Sequence, residues 1–384
     1  MSALFPTYKR KKFQLVKGNG TVVFDENNQR YLDFTSGIAV TNLGHCHPEV
    51  VSAIKEQSEK IWHTSNLFQI EQQEKLAETL VKDSPLDLAF FCSSGAEANE
   101  AAIKLAKKYT GKNKIITFEN SFHGRTFGGM SATGQQKIKE GYGPLVSEFV
   151  HVPWNDVEEL MKAIDEQTAA IMMEVFQGEG GLRIADAPFY EAVKKICDEQ
   201  DILLIIDEVQ TGIGRTGKRY AFEHFNLNPD IITLAKGLGN GFPIGAMLGK
   251  AKCKDAFGPG SHGTTFGGSP LACAVSQSVL DVIFQDAFLS EVEEKGKQFM
   301  ETLADSLQNH PLVKEIRGKG LLIGIECETP VVSYVEWLEE HGLLTVPAGE
   351  NVIRLLPPLT VSEEELQMAA EILKQMFEQF HTSS

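Results

Sequence analysis

Three segments bring together residue types suited to chemistry. In Thr233-Leu234-Ala235-Lys236-Gly237-Leu238-Gly239-Asn240-Gly241 a lysine follows an apolar run and enters a glycine-rich loop. Glycines leave room for a bulky adduct, and partial burial lowers a lysine from about 10.4 towards the range useful to a nucleophile or general base. Twenty-nine residues upstream, Asp207 closes the apolar run Ile202-Leu203-Leu204-Ile205-Ile206. A carboxylate delivered by a buried strand needs a cationic partner. The third segment, Cys92-Ser93-Ser94-Gly95-Ala96-Glu97-Ala98-Asn99-Glu100, sets Ser94 and Glu97 at capping-box spacing and predicts a helix beginning near Gly95. The free N–H groups and dipole at such an end suit an anion, and Gly95 lets backbone approach it closely. Taken singly, each segment has a plainer reading: a lysine snorkelling beside a turn, a capping or salt-bridged aspartate, an ordinary capped helix.

The protonated pyridine nitrogen of pyridoxal 5′-phosphate (PLP) is one cation that would suit Asp207, and holding it protonated makes the ring an electron sink. Competing motifs fail on inspection. Gly212-Ile213-Gly214-Arg215-Thr216-Gly217-Lys218-Arg219 matches G-x-G-x-x-G and nearly matches the P-loop. Yet Arg219 stands where a P-loop places its Mg²⁺-binding hydroxyl, and five residues separate the glycines from the apolar run, where a dinucleotide fingerprint would start. His45 and His47 sit in a short turn without a nearby third ligand, so no metal site is expected.

Positioning these side chains falls to an alternation of apolar runs (88–91, 114–118, 169–173, 202–206 and 231–234) with helical patterns between about residues 50 and 275. Strands buried on both faces and separated by helices imply an α/β fold with a mainly parallel sheet, whose ligands bind at the strands' carboxyl ends. Residues 13–40 read as short strands and turns. A long helical stretch over 270–308, followed by apolar runs at 320–325 and 352–355, suggests a smaller α+β domain. The expected division is 1–50 as an N-terminal arm or part of the small domain, 51–275 as the large domain and 276–384 as the C-terminal small domain; 384 residues exceed what one core usually serves.

Net charge is −16 and the only dense basic run is 9–12, so no nucleic-acid partner is expected. Nowhere do 18 apolar residues run together, and no apolar stretch follows the basic run as in a signal peptide; a cytoplasmic protein without membrane contact is expected. The six cysteines form no C-x-x-C pair and are expected to be reduced, packed thiols.

Ser93-Ser94-Gly95-Ala96-Glu97-Ala98, Phe122-His123-Gly124-Arg125-Thr126, Glu174-Val175-Phe176-Gln177-Gly178-Glu179, Asp207-Glu208-Val209-Gln210-Thr211-Gly212 and Lys236-Gly237 stand in the order seen in class III aminotransferases, which the chain resembles over nearly its whole length. Gly44-His45-Cys46-His47-Pro48, Gly263-Thr264-Thr265-Phe266-Gly267-Gly268 and Arg354-Leu355-Leu356-Pro357-Pro358 extend the likeness to both ends. The resemblance implies PLP-dependent transferase fold type I and a homodimer with active sites at the subunit interface. It implies that Lys236 carries the cofactor as a Schiff base, Gly95 and Ala96 hold its phosphate, and Phe122 and Val209 pack on its two faces. Asp207 would pair with the ring nitrogen, Gln210 would lie near the 3′-oxygen, Glu208 would belong to the same cofactor-binding run, and Thr265 would reach the phosphate in the neighbouring subunit. For substrates, Arg125 would clamp a carboxylate with Thr264 nearby and Glu174 would line the site. Glu179 would pair with Arg354 in one half-reaction and release it to 2-oxoglutarate in the other. His123 receives no chemical role.

Within the family, Ser36-Gly37-Ile38-Ala39-Val40, Asn42-Leu43-Gly44-His45 and His63-Thr64-Ser65-Asn66 resemble members that pass the δ-amino group of N2-acetyl-L-ornithine to 2-oxoglutarate in arginine biosynthesis. Ile38 stands where ornithine-using members carry tyrosine, which favours the acetylated donor. Succinylornithine, ornithine and 4-aminobutyrate are the alternative donors. A racemase, mutase or decarboxylase on the same scaffold is the alternative chemistry, and a switchable Glu179–Arg354 pair argues against it.

Overall fold

A computed structural model describes residues 3–382. Its centre is a seven-stranded sheet in the order Leu88–Cys92, Gly245–Gly249, Ile231–Leu234, Leu203–Asp207, Thr168–Met173, Lys114–Phe118, Phe149–Val152. Gly245–Gly249 runs against both of its neighbours; the other pairings are parallel. Thr168–Met173, Leu203–Asp207 and Ile231–Leu234 are buried along their whole length, as strands covered by helices on both faces must be. Two of the seven had no clear signature: Gly245–Gly249 is bracketed by glycines, and Phe149–Val152 is a half-buried edge.

The helix Gly95–Thr110 lies against this sheet on Ala98, Ala101, Ala102 and Ala106, all wholly buried. Small side chains allow the close approach. Ser94 caps it, accepting from Glu97 N at 3.2 Å while Ser93 N donates to the Glu97 carboxylate at 2.7 Å, and Gly111 ends it at φ +68°. Its first turn is thereby pinned at the carboxyl edge of the sheet.

A second sheet, antiparallel throughout, runs Val313–Lys319, Leu322–Cys327, Val352–Leu355, Val346–Ala348. The helices Asp286–Leu307, Val332–Glu340 and Glu363–Thr382 accompany it. The N-terminal strands Leu15–Asn19, Val22–Asp25 and Arg30–Asp33 form a third sheet, closed by Leu343–Leu344, so chain start and C-terminal third pack as neighbours. The stretch 270–308 is two helices, Pro270–Ile283 and Asp286–Leu307, meeting at 69°. Gln285 is extended (φ −82°, ψ 129°), which divides the expected helical stretch in two. No single helix among the described residues is long and apolar enough to cross a membrane. The six cysteines are unpaired, five of them buried.

Candidate active site

A cavity of about 440 Å³ opens at the carboxyl ends of the central strands and is lined by Gly95, Ala96, Phe122, Arg125, Glu174, Glu179, Asp207, Val209, Gln210 and Lys236. Ten residues scattered over 141 positions of sequence thus meet at one strand edge, where α/β sheets place ligands. A larger groove of about 670 Å³ is lined by residues between 154 and 184 and by the second sheet, but it holds none of these residues, and its Arg317 is already paired with Glu315 and Glu326.

Asp207 ends its strand at the cavity floor and is 4% exposed. Its Oδ2 accepts from Asn99 Nδ2 and His123 Nδ1, both at 2.8 Å, and its Oδ1 from Val209 N at 3.0 Å. A carboxylate gripped from three elements has a fixed direction. His123 is buried with Nε2 unpartnered, so geometry assigns the proton to Nδ1, facing Asp207. Neither His123 nor Asn99 was anticipated. The available signal was Asn99 itself, a polar residue on the alanine face of its helix, which must find buried partners. It does so, donating also to His123 O at 2.8 Å and accepting from Thr233 Oγ1 at 2.7 Å.

Lys236 follows its strand at φ +46°, a left-handed conformation uncommon outside glycine. Its amine has no hydrogen-bond or ion-pair partner among the described residues. Burial pushes its pKa down, opposed by the Glu179 carboxylate. Gly237 is required beside it, since a Cβ there would stand 2.3 Å from Asn42 Nδ2.

Above the floor, Arg354, 1% exposed, donates from Nη1 to Glu179 Oε1 at 2.7 Å and from Nη2 to Glu179 Oε2 at 3.1 Å. Gln210 bridges the pair, donating to Glu179 at 2.9 Å and accepting from Arg354 at 3.0 Å. Burial alone would raise the Glu179 carboxyl; Arg354 outweighs it and holds the group at about 2. Glu174 is the opposite case. Its oxygens accept from Phe122 N at 3.1 Å and Gly178 N at 3.3 Å, yet burial and then the Asp207 charge raise it well above the carboxylate range. Two carboxylates of one cavity are thus pushed apart in proton affinity, a pattern of functional sites.

Some expected residues lie elsewhere. Glu208 is turned away from the cavity: its carboxylate accepts from Thr211 Oγ1 at 2.5 Å and Phe222 N at 2.9 Å, so its place among the cofactor-binding residues is corrected to a structural one. Consecutive residues at a strand end face opposite ways. Ile38, Thr264 and Thr265 do not line the cavity in the single chain. Ile38 is 39% exposed, on the turn leading to the lining residue Val40, and Thr264 and Thr265 stand on the 263–266 loop, tied to Asn66 through Thr264 O. Arg125 is exposed at the cavity mouth with no ion-pair or hydrogen-bond partner among the described residues.

The arrangement fits PLP. Gly95 and Ala96 head a capped helix, and a Cβ at Gly95 would stand 2.8 Å from Val209 Cγ1, so that surface is kept low beside the amides; a fixed carboxylate and an unpartnered amine complete the donor and acceptor set the cofactor needs.

Comparisons with known proteins agree. The family described as "Aminotransferase class-III" matches residues 6–377. Acetylornithine aminotransferase of Bacillus subtilis (strain 168) is 56% identical over 377 residues, covering 98% of this chain and 97% of its own. That of Halalkalibacterium halodurans is 57% identical, covering 99% of each. Among solved structures, ornithine aminotransferase from Toxoplasma gondii ME49 superposes with a TM-score of 0.96 at 32% identity, over 100% of this chain and 94% of that one. N-acetylornithine aminotransferase from Stenotrophomonas maltophilia K279a gives 0.86 at 35% identity, over 98% of both.

Proposed function

This chain belongs to the class III aminotransferases, and from that premise we propose that it transfers the δ-amino group of N2-acetyl-L-ornithine to 2-oxoglutarate. The products are N-acetyl-L-glutamate 5-semialdehyde and L-glutamate, the cofactor is PLP, and the setting is arginine biosynthesis. The observation that carries this reading is the pair of unlike arginines: Arg125 uncapped at the cavity mouth, Arg354 capped by the cavity-lining Glu179. A donor with one carboxylate needs one clamp. An acceptor with two needs a second, which must be hidden while the donor is bound.

PLP, held by the Gly95 and Ala96 amides, Phe122, Val209, Asp207 and Lys236, supplies an electron sink for the carbon that loses its proton. Asp207, oriented by Asn99 and His123, keeps a proton on the ring nitrogen. Lys236 Nζ, pushed by burial toward its neutral form, takes the proton from the donor's δ-carbon as general base. Arg125 holds the donor's α-carboxylate through a charge-assisted fork. Arg354 leaves Glu179 for the carboxylate beside the keto carbon of 2-oxoglutarate, which the donor's δ-carbon lacks, while the acceptor's far carboxylate takes the donor's place on Arg125.

The active unit is a homodimer in this reading. Trp62, Leu67, Phe68 and Phe266 are 62–91% exposed and belong to one surface: Asn66 donates to Thr264 O and Gly267 O, and the His63 and Phe266 rings lie 5.5 Å apart. Exposed apolar surface of this kind suits a subunit contact, and it adjoins Thr265, the residue assigned to the neighbouring cofactor. We place the enzyme in the cytoplasm on its charge and composition.

The test is a panel of donors with 2-oxoglutarate as acceptor. N2-acetyl-L-ornithine should give the highest kcat/KM, ahead of succinylornithine, ornithine and 4-aminobutyrate. Equal or better turnover of ornithine or 4-aminobutyrate would overturn the substrate assignment.

A further inference from the structure

Arg215 is wholly buried, and no carboxylate pairs with it among the described residues. Burying a guanidinium without a counter-charge is expensive, and an apolar side chain of similar length would fill the space without that cost. Three oxygens from three segments meet it instead. Nη1 donates to Leu321 O at 3.1 Å and Pro357 O at 2.5 Å, and Nη2 to Asn42 Oδ1 at 2.7 Å. Leu321 N returns a bond to Arg215 O at 3.0 Å.

Two of the three partners lead to the active site. Pro357 lies three residues beyond Arg354, just past the end of the strand Val352–Leu355. Asn42 donates to Ile213 O at 2.8 Å and packs on Gly237, next to Lys236; Leu43 N donates to Asn240 Oδ1 at 2.7 Å in the same turn. Arg215 itself sits five residues past Gln210, the residue that bridges Glu179 and Arg354. The contacts between these segments are tight. A Cβ on Gly320, beside Leu321, would stand 2.5 Å from the Thr216 backbone, and one on Gly214 would stand 2.5 Å from Ile283.

We propose that Arg215 is a positioning residue for the acceptor site: by clamping the Pro357 and Leu321 carbonyls to Asn42, it sets where the Arg354 guanidinium stands relative to Gln210 and Glu179. It thereby controls how well Arg354 takes up a second carboxylate. A guanidinium holds its donors in a rigid planar fork; a lysine ammonium also has three donors, but as a compact charge on a flexible stem it cannot hold the same fork. The inference rests on reading Arg354 as the clamp for the carboxylate beside the acceptor's keto carbon.

The experiment compares holoenzymes of the wild type, Arg215→Lys, Asn42→Ala and Arg354→Ala. Isothermal titration gives the Kd of glutarate, an unreactive dicarboxylate; steady-state kinetics give KM for donor and for 2-oxoglutarate; thermal melts give Tm. Arg215→Lys should raise the glutarate Kd and the 2-oxoglutarate KM about tenfold while the donor KM stays within about twofold, since a misplacement of under an ångström is selective for the group displaced. Unchanged glutarate affinity, or donor and acceptor constants rising together with a fall in Tm, would overturn the proposal in favour of a merely structural role. If the lysine variant does not fold, Asn42→Ala decides, because it leaves both carbonyl bonds of Arg215: a rise of about threefold is expected, and an unchanged Kd overturns the proposal. Arg354→Ala separates the two layers. Should it leave glutarate binding unaltered, the reading of the acceptor site fails; should it weaken binding where Arg215→Lys and Asn42→Ala do not, only the positioning role fails.

Discussion

The floor and the rim of the cavity are built on opposite terms. On the floor, Asp207, Asn99, His123 and Thr233 hydrogen-bond one another within the chain, buried and directed from strands, a capped helix and the 121–126 loop. Towards the rim, Arg125 at the mouth, and Ile38 and Thr265, which do not line the cavity in the single chain, are exposed and lack such partners among the described residues. Preorganised buried groups act on every substrate that reaches the reacting atoms, because their geometry is complete before binding. Rim groups find their partners only when a substrate arrives, so they can tell substrates apart. The Glu179–Arg354–Gln210 set belongs to both: Arg354 and Gln210 are buried like the floor and Glu179 is half-buried, and in the proposed reaction the set must open like the rim.

The strongest way to break this contrast is at Lys236. Lys236→Ala removes the one unpartnered amine of the floor while leaving the Gly95 helix end, Asp207 and Gln210 intact. Turnover should fall by roughly 10⁴-fold or more for all donors alike, as removal of a catalytic nucleophile does, and PLP should still bind, as read by fluorescence titration. A loss confined to one donor would mean the floor is not generic.

Next in size is Arg125. Arg125→Ala should lower kcat/KM for N2-acetyl-L-ornithine about 30- to 1,000-fold, the worth of roughly 2–4 kcal/mol of charge-assisted recognition. A diamine without a carboxylate, such as 1,4-diaminobutane, should be affected little. Equal losses for both would move Arg125 from the rim's role to the floor's.

How much of this could be read beforehand follows the same division. The capped helix at Gly95, the strand ending in Asp207 and the lysine after Ile231–Leu234 depend on local patterns, namely capping spacing, apolar runs and a glycine-rich turn, and those are written in consecutive residues. Asn99 and His123 were passed over because their importance comes from meeting Asp207 across 108 and 84 positions, which no local pattern records. Glu208 was misplaced for a related reason: its sequence neighbourhood is that of Asp207, but the pleat sends it to the other face, towards Phe222. Among the elements, Val313–Lys319 was not anticipated as a strand because Lys314, Glu315, Arg317 and Lys319 interrupt its apolar positions, and it is held by pairing to Leu322–Cys327. The rim is least legible of all, since exposed positions are constrained by what binds them.

The smallest effect, and the finest test of the contrast, concerns Ile38. It sits at φ +67°, ψ 63° in the turn that begins at Thr35, a conformation that a β-branched side chain adopts only under strain, at a cost of about 1–3 kcal/mol. Strain of that kind in an exposed residue beside a site suggests that the turn is held for its shape rather than for stability. Tyrosine at this position has no branch at Cβ, so Ile38→Tyr should leave Tm unchanged or slightly higher, and any change in activity would come from the side chain rather than from a collapsed turn. An isoleucine gives a free α-ammonium no hydrogen-bond partner, whereas the acetamido group of N2-acetyl-L-ornithine is neutral and less costly to desolvate. A tyrosine hydroxyl would supply such a partner. The ratio of kcat/KM for ornithine to that for N2-acetyl-L-ornithine should therefore rise about fivefold, the equivalent of about 1 kcal/mol for one hydrogen bond in a half-solvated setting. Donor competition assays on the folded variant measure that ratio directly. If it stays at the wild-type value while Tm holds, the choice of donor is not made at Ile38, and discrimination must lie with Arg125 or with other residues around the cavity.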